Sequence, residues 1–136
     1  MSTRRLLLFV ILMVACGGIT LFVYTYGTTL INEEAIEETG NEYMTAIQVG
    51  DFNTAFTIID PTFQSQMANP AGLQNLLESW GFFPADWNFY KRGVESGVGA
   101  LEASVKMTDG RRMGVALTLV QIEGDWRVTR MEFLTS

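Results

Sequence analysis

The 136-residue chain has no histidine and a single cysteine, Cys16, which lies inside a charge-free apolar run. Downstream of that run there is therefore no Cys or His nucleophile, no disulfide and no Cys/His metal site. Carboxylates, phenols and basic side chains remain. Glu33, Glu34, Glu37 and Glu38 are dense enough to raise a hard-cation site, but such sites need oxygens converging from several directions. At helical spacing the same residues form a solvated face that complements the positive end of a helix dipole, so no metal and no cofactor is expected. Arg111 and Arg112, with Lys91 and Arg92 on a strand expected beside them, raise a basic patch for anionic headgroups or an acidic partner; the plainer reading is solubility and edge-strand protection.

The densest cluster is aromatic. Trp80, Phe82, Phe83, Trp87, Phe89 and Tyr90 fall within WGFFPADWNFY. Exposed Trp and Tyr mark docking hot spots, whereas buried aromatics merely plug a core. Both readings stand for this segment, with packing the plainer one. The methionines Met44, Met67, Met107, Met113 and Met131 are expected to fill core gaps.

The overall charge excludes one partner class. Residues 33–136 carry 7 Lys+Arg and 15 Asp+Glu, a net of −8 that Arg4 and Arg5 bring to −6 for the whole chain. Nucleic acid is not an expected partner, because phosphate binding needs clustered cations.

The run LLLFVILMVACGGITLFVYTY, residues 6–26, is 21 residues long. As a helix it would span roughly 31 Å, about a hydrocarbon core. A cleavable signal has a shorter apolar stretch and a small-x-small cut site, and nothing past Tyr26 supplies one. Arg4 and Arg5 place the N-terminus in the cytoplasm, and Tyr24 and Tyr26 sit where interfacial aromatics belong. The expected organisation is a cytoplasmic segment 1–5, a membrane span 6–26, a juxtamembrane link 27–32 and an extracytoplasmic (periplasmic or extracellular) domain 33–136 of a plasma or inner-membrane protein. A second reading takes VAC as a lipoprotein box with Cys16 lipidated. Met13 stands there in place of the usual leucine, and the apolar run continues well past Cys16.

The domain reads as helices followed by strands. A first helix is expected from about Asn32, as cap, to Val49, with Ile36, Tyr43, Ala46 and Ile47 on one face. Gly50 suits its C-terminal end and Asp51 the next N-cap. Phe52, Ala55, Phe56 and Ile59 would be the buried face of a second helix that Asp60-Pro61 stops. Asn69-Pro70 opens a third, short helix with Leu73, Leu76, Leu77 and Trp80 inward, ended by Gly81. From Trp87 the period changes to two. Leu101, Ala103, Val105 and Met107 alternate with Glu102, Ser104 and Lys106. TDGR reads as a two-residue Asp109-Gly110 hairpin turn. Met113, Val115, Leu117 and Leu119 form the inner face of the answering strand. In the closing WRVTRMEF, Trp126 and Val128 lie on one face and Met131 and Phe133 on the other, so its inner face is not assignable. The expected class is α+β: three helices packed on a curved antiparallel sheet.

This order resembles the nuclear transport factor 2-like superfamily, a cystatin-like α+β cone, in its bacterial membrane-anchored extracytoplasmic form. The residues that carry the resemblance are Tyr43, Ala46, Gly50, Asp51, Ala55 and Phe56, and the closing Gly124, Asp125, Trp126 and Val128. It covers about residues 33–134. Those positions are caps, turns and core aromatics, so they imply a fold and almost nothing about activity. Enzymes of the superfamily hold a carboxylate or His base and a Tyr or acid donor inside the cone, because proton transfer needs a base within hydrogen-bond reach. Here Tyr43 is the one donor candidate. Glu102 alternates outward, Glu95 lies near a turn and Asp60 at a helix end, so none is expected to share the Tyr43 face. The expectation is a non-enzymatic protein-interaction module, such as an accessory subunit of a respiratory or photosynthetic membrane complex. Its partners would be the lipid bilayer and a protein. Pairing with a second copy through the sheet, common among cone folds, stays open. The alternative is a small-ligand binder or weak enzyme using the cone interior.

Overall fold

The structure, a computed structural model, describes the backbone of residues 17–134 and the side chains of residues 32–134. The chain divides into two compact units, Met1–Asn32 and Glu33–Ser136, and the second carries the whole sheet. Cys16 and residues 6–16 of the apolar run lie outside the described residues. Among the described residues, no helix is long and apolar enough to cross a membrane.

Four helices, α1 (Gly17–Gln48), α2 (Phe52–Ile58), α3 (Pro61–Met67) and α4 (Pro70–Ser79), precede four strands, β1 (Pro84–Glu95), β2 (Val98–Met107), β3 (Arg112–Ile122) and β4 (Asp125–Leu134). The strands form one antiparallel meander in the order β1-β2-β3-β4. The α+β architecture expected from the period change at residue 87 is the observed one.

Two helix assignments are corrected. The first helix does not begin at Asn32: α1 runs unbroken through residues 27–32. No proline interrupts that stretch, and its single glycine costs only about 1 kcal/mol in a helix. There is also a fourth helix. The Asp60-Pro61 pair that stops α2 also starts α3. Asp60 accepts from the Phe63 amide at 2.8 Å and Pro61 takes the first turn. An N-terminal turn needs no donor at that position, so proline fits there as well as at a stop.

α1 lies on the sheet by its buried face: Ile36, Tyr43 and Met44 are fully buried, Ala46 and Ile47 nearly so. Gly40 permits the contact, since a Cβ there would stand 2.7 Å from Leu101 Cδ1 and 2.9 Å from Phe89 Cζ. The opposing layer is the expected one: Leu101, Ala103, Val105 and Met107 from β2, and Val115, Leu117 and Leu119 from β3.

The hairpins redistribute the turn types. Ser96-Gly97 and Glu123-Gly124 each join a paired Glu95↔Val98 or Ile122↔Asp125 with both central residues at positive φ (51° and 77°, 52° and 87°). A type I′ turn requires this. Asp109-Gly110 differs: only Gly110 (φ 91°) is positive. Gly110 N donates to Met107 O at 3.0 Å and Met107 N to Arg111 O at 2.7 Å, a three-residue loop with a glycine bulge. The Asp109 carboxylate, holding the Arg111 amide (3.0 Å) and Nε (2.6 Å), keeps Asp109 in ordinary conformation.

The ambiguity of β4 has a geometric answer. The β3–β4 register shifts between Thr118 and Leu119: Leu119 faces Val128, Thr118 faces Arg130, and Thr129 is the extra residue. One inserted residue flips the side-chain phase. Trp126 and Val128 before the bulge and Met131 after it are therefore all buried. Both apolar sets of WRVTRMEF face the same core.

Candidate functional site

The candidate donor Tyr43 lies in the interior, and a cleft opens where α3, α4 and β4 meet. Tyr43 is fully buried, and its hydroxyl donates to Met131 Sδ at 3.5 Å. Burial pushes the phenol's pKa well up, so it stays protonated. Among the described residues no carboxylate bonds that hydroxyl. Glu102 sits on the outer sheet face, where it pairs with Lys91 at 3.2 Å and accepts from the exposed Tyr90 at 3.3 Å. Glu95 is exposed beside the β1–β2 turn. Asp60, the one charged side chain buried among the described residues, has both oxygens occupied: Phe63 N at 2.8 Å and Thr129 Oγ1 at 2.7 Å.

The cleft has a volume of about 500 Å³ and is lined by Phe63, Met67, Leu76, Trp80 and Met131, with Gln66, Thr129 and Arg130. The β4 bulge forms one wall, and bulges are frequent beside functional sites. Ala68, just past α3, is held at φ 70°, ψ −45°, with Asn69 N bonded to Met67 O at 2.9 Å. That is a tight three-residue turn uncomfortable for a residue with a Cβ.

The aromatic cluster separates into packers and exposed rings. Phe82 is buried at 2 % exposure and leans on Phe133 at a centroid distance of 5.5 Å. Trp80 does not face inward as the helical spacing predicts. Its α4 turn ends at Ser79, and the ring, 41 % exposed, stands edge-on to Phe133 at 5.0 Å. Trp87 and Phe89 pack beneath α1, with Trp87 Nε1 donating to Asn41 Oδ1 at 2.8 Å. Phe83 and Tyr90 are exposed at 47 % and 57 %. Tyr90 occupies a register shift of β1 between Phe89 and Lys91.

The basic patch does not assemble. β2 separates β1 from β3. Lys91 pairs with Glu102, Arg92 with Glu37 at 2.6 Å and Glu33 at 4.0 Å, and Arg111 with Asp109. Glu34, Glu37, Glu38, Glu42 and Asp51 line a shallow groove beside α1. Among the described residues no group of three or more acids, Cys or His could hold a metal ion.

Thr129 and Met131 are site residues that local sequence patterns do not single out. The signal available was the two-faced apolar pattern of WRVTRMEF, which a regular strand cannot bury on one side.

No known protein family's sequence pattern matches the chain, and no curated protein is significantly similar to it. Solved structures are similar in fold. A protein of Shewanella baltica OS155, described as NTF2-like and of unknown function, aligns with TM-score 0.60 at 12 % identity over 79 % of this chain and 97 % of its own. One from Silicibacter pomeroyi DSS-3, so described too, aligns with TM-score 0.55 at 18 % identity, covering 74 % and 92 %. A third, from Burkholderia xenovorans LB400, gives 0.52 at 21 % identity, covering 76 % and 86 %. The chain therefore has the nuclear transport factor 2-like fold, as its resemblance implied.

Proposed function

We propose that the chain is a non-enzymatic, single-pass membrane protein that presents a cone-shaped interaction domain on the outer side of the inner membrane. Residues 6–26 are the anchor, Arg4 and Arg5 keep the N-terminus in the cytoplasm, and residues 33–136 meet a protein partner, as an accessory subunit of a larger membrane assembly such as a respiratory or photosynthetic complex. The anchor rests on its charge-free 21-residue length. The interaction role rests on one contrast among the described residues. The phenol of the interior, Tyr43, is sealed against Met131, while Trp80, Phe83 and Tyr90 stand at the surface. Exposed aromatics of this kind are where binding energy concentrates.

The test is purification of the full-length tagged chain from membranes in mild detergent. It should sediment with membranes and carry a protein partner. Replacing Trp80 and Phe83 together by serine should release that partner without unfolding the domain. Recovery as a lone monomer from the cytosolic fraction, or a mature N-terminus downstream of Tyr26, would sink the proposal.

A second reading, a binder of small ligands, draws on the cleft between α3, α4 and β4. Apolar side chains and the polar Gln66, Thr129 and Arg130 line it together, so it offers both packing surface and hydrogen-bonding groups to a small molecule. Saturable ligand binding abolished by blocking this cleft would favour it.

A further inference from the structure

We infer that Met131 is an oxidation site whose sulfoxide the fold is built to accept. Two features meet at this residue. The first is access. Met131 and Met67, each 8 % exposed, line the α3–α4–β4 cleft, whereas Met44 and Met107 are sealed at 0 % and 1 %. The cleft borders the first pair and not the second, and the half-buried Met113 of β3 lies outside it.

The second is a waiting donor. Tyr43 lies wholly inside the core, and among the described residues the only partner its hydroxyl has is the Met131 sulfur at 3.5 Å. A thioether is a weak acceptor, so this donor gives up water for little return. A sulfoxide oxygen is a much stronger acceptor on the same atom.

The chemistry needs one co-reactant, a peroxide. The sulfur lone pair attacks the peroxide oxygen, an S–O bond forms and the O–O bond breaks. The departing hydroxide takes the remaining proton as water. The thioether is oxidised by two electrons and the peroxide reduced, giving sulfoxide and water. Tyr43 gives up no proton; it donates its hydrogen bond to the new oxygen. Ordinarily a core sulfoxide disrupts packing, because a polar oxygen is buried without a partner. Here a donor lies 3.5 Å from the sulfur, within reach of an oxygen set to one side of the line between them. Met67 supplies the internal control: it has the same exposure in the same cleft, and among the described residues no hydrogen bond reaches its sulfur.

The experiment treats the full-length chain in mild detergent with hydrogen peroxide, maps methionine oxidation by peptide mass, and follows thermal unfolding. Met131 and Met67 should oxidise before Met44 and Met107. In a Met67→Leu background, which leaves Met131 as the cleft's methionine, peroxide should leave the melting temperature within a degree or two. The same treatment of Met67→Leu/Tyr43→Phe should lower it by several degrees. Equal losses in both backgrounds, or oxidation of Met44 and Met107 in step with Met131, would overturn the inference. Should the double variant fail to fold, the Tyr43 hydroxyl proton in Met67→Leu reports instead by NMR. It should move downfield when Met131 is oxidised, and an unmoved resonance counts against the inference.

Discussion

The hydroxyl of Thr129 donates to Asp60 Oδ2 at 2.7 Å, tying the bulge of β4 to the cap of α3 across 69 residues of sequence. The backbone repeats the tie: Asp60 N donates to Val128 O at 2.9 Å, and Ile59 bridges Val128 in parallel. This contact covers part of the β4 edge and fixes where the cleft opens.

Asp60→Ala should therefore cost more than a surface cap. Loss of the cap is worth about 1 kcal/mol, and leaving the Thr129 hydroxyl without its acceptor adds about 1–3 kcal/mol. Urea unfolding should show about 2–4 kcal/mol lost for Asp60→Ala and clearly less for Asp60→Asn. A loss below about 0.5 kcal/mol, typical of neutral surface changes, would contradict this role.

Tyr43 should behave as a packing residue. Tyr43→Phe removes only a hydroxyl bonded to sulfur and should change stability by less than about 1 kcal/mol. Tyr43→Ala empties a fully buried site and should cost about 3–5 kcal/mol. A large loss of any measured activity in a stably folded Tyr43→Phe would point back to proton-transfer chemistry.

Gly72 separates propensity from packing. Read as a helix position, Gly72→Ala should stabilise by about 1 kcal/mol. Instead, a Cβ there would stand 2.0 Å from the Met67 carbonyl oxygen, a backbone atom at the α3–α4 junction. Overpacking of about 1–3 kcal/mol should outweigh the helical gain. A raised unfolding midpoint for Gly72→Ala would refute that geometry.

The stability of α2 should fade in acid. The Thr54 hydroxyl, at 2.7 Å, and then its amide, at 3.2 Å, hold the Asp51 carboxyl below the ordinary aspartate value of about 3.8. A lowered pKa in the folded state means a contribution fully present above that value and lost as pH falls through the folded one. The difference in denaturant midpoint between wild type and Asp51→Ala should be constant from pH 7 to pH 5 and shrink below about 3.8. A difference that persists at pH 2 would rule out a charge-based cap.

What the sequence determined by itself was of short range: strand alternation and several helix caps. The period of two in Leu101–Met107 and Val115–Leu119 named the inner face of the sheet, because alternation leaves no other choice. Asp51, Asn69 and Pro70 marked helix starts through single-turn hydrogen bonds. The order of helices then strands implied the α+β class, and the family resemblance implied the cone. Tertiary structure decided what depends on phase and partnership. Whether both apolar sets of β4 face inward rested on one inserted residue, Thr129, whose position is set by its pairing with β3 and by Asp60. Lys91, Arg92 and Arg111 found separate carboxylates, and β2 lies between β1 and β3. Trp80, at the end of α4, stands against Phe133 of β4 and stays 41 % exposed. Local rules cannot see the phase of β4, since it is fixed by contacts between segments tens of residues apart. The sealing of Tyr43 against Met131, 88 positions away, is the same kind of fact, and it made the candidate donor of the sequence a part of the core.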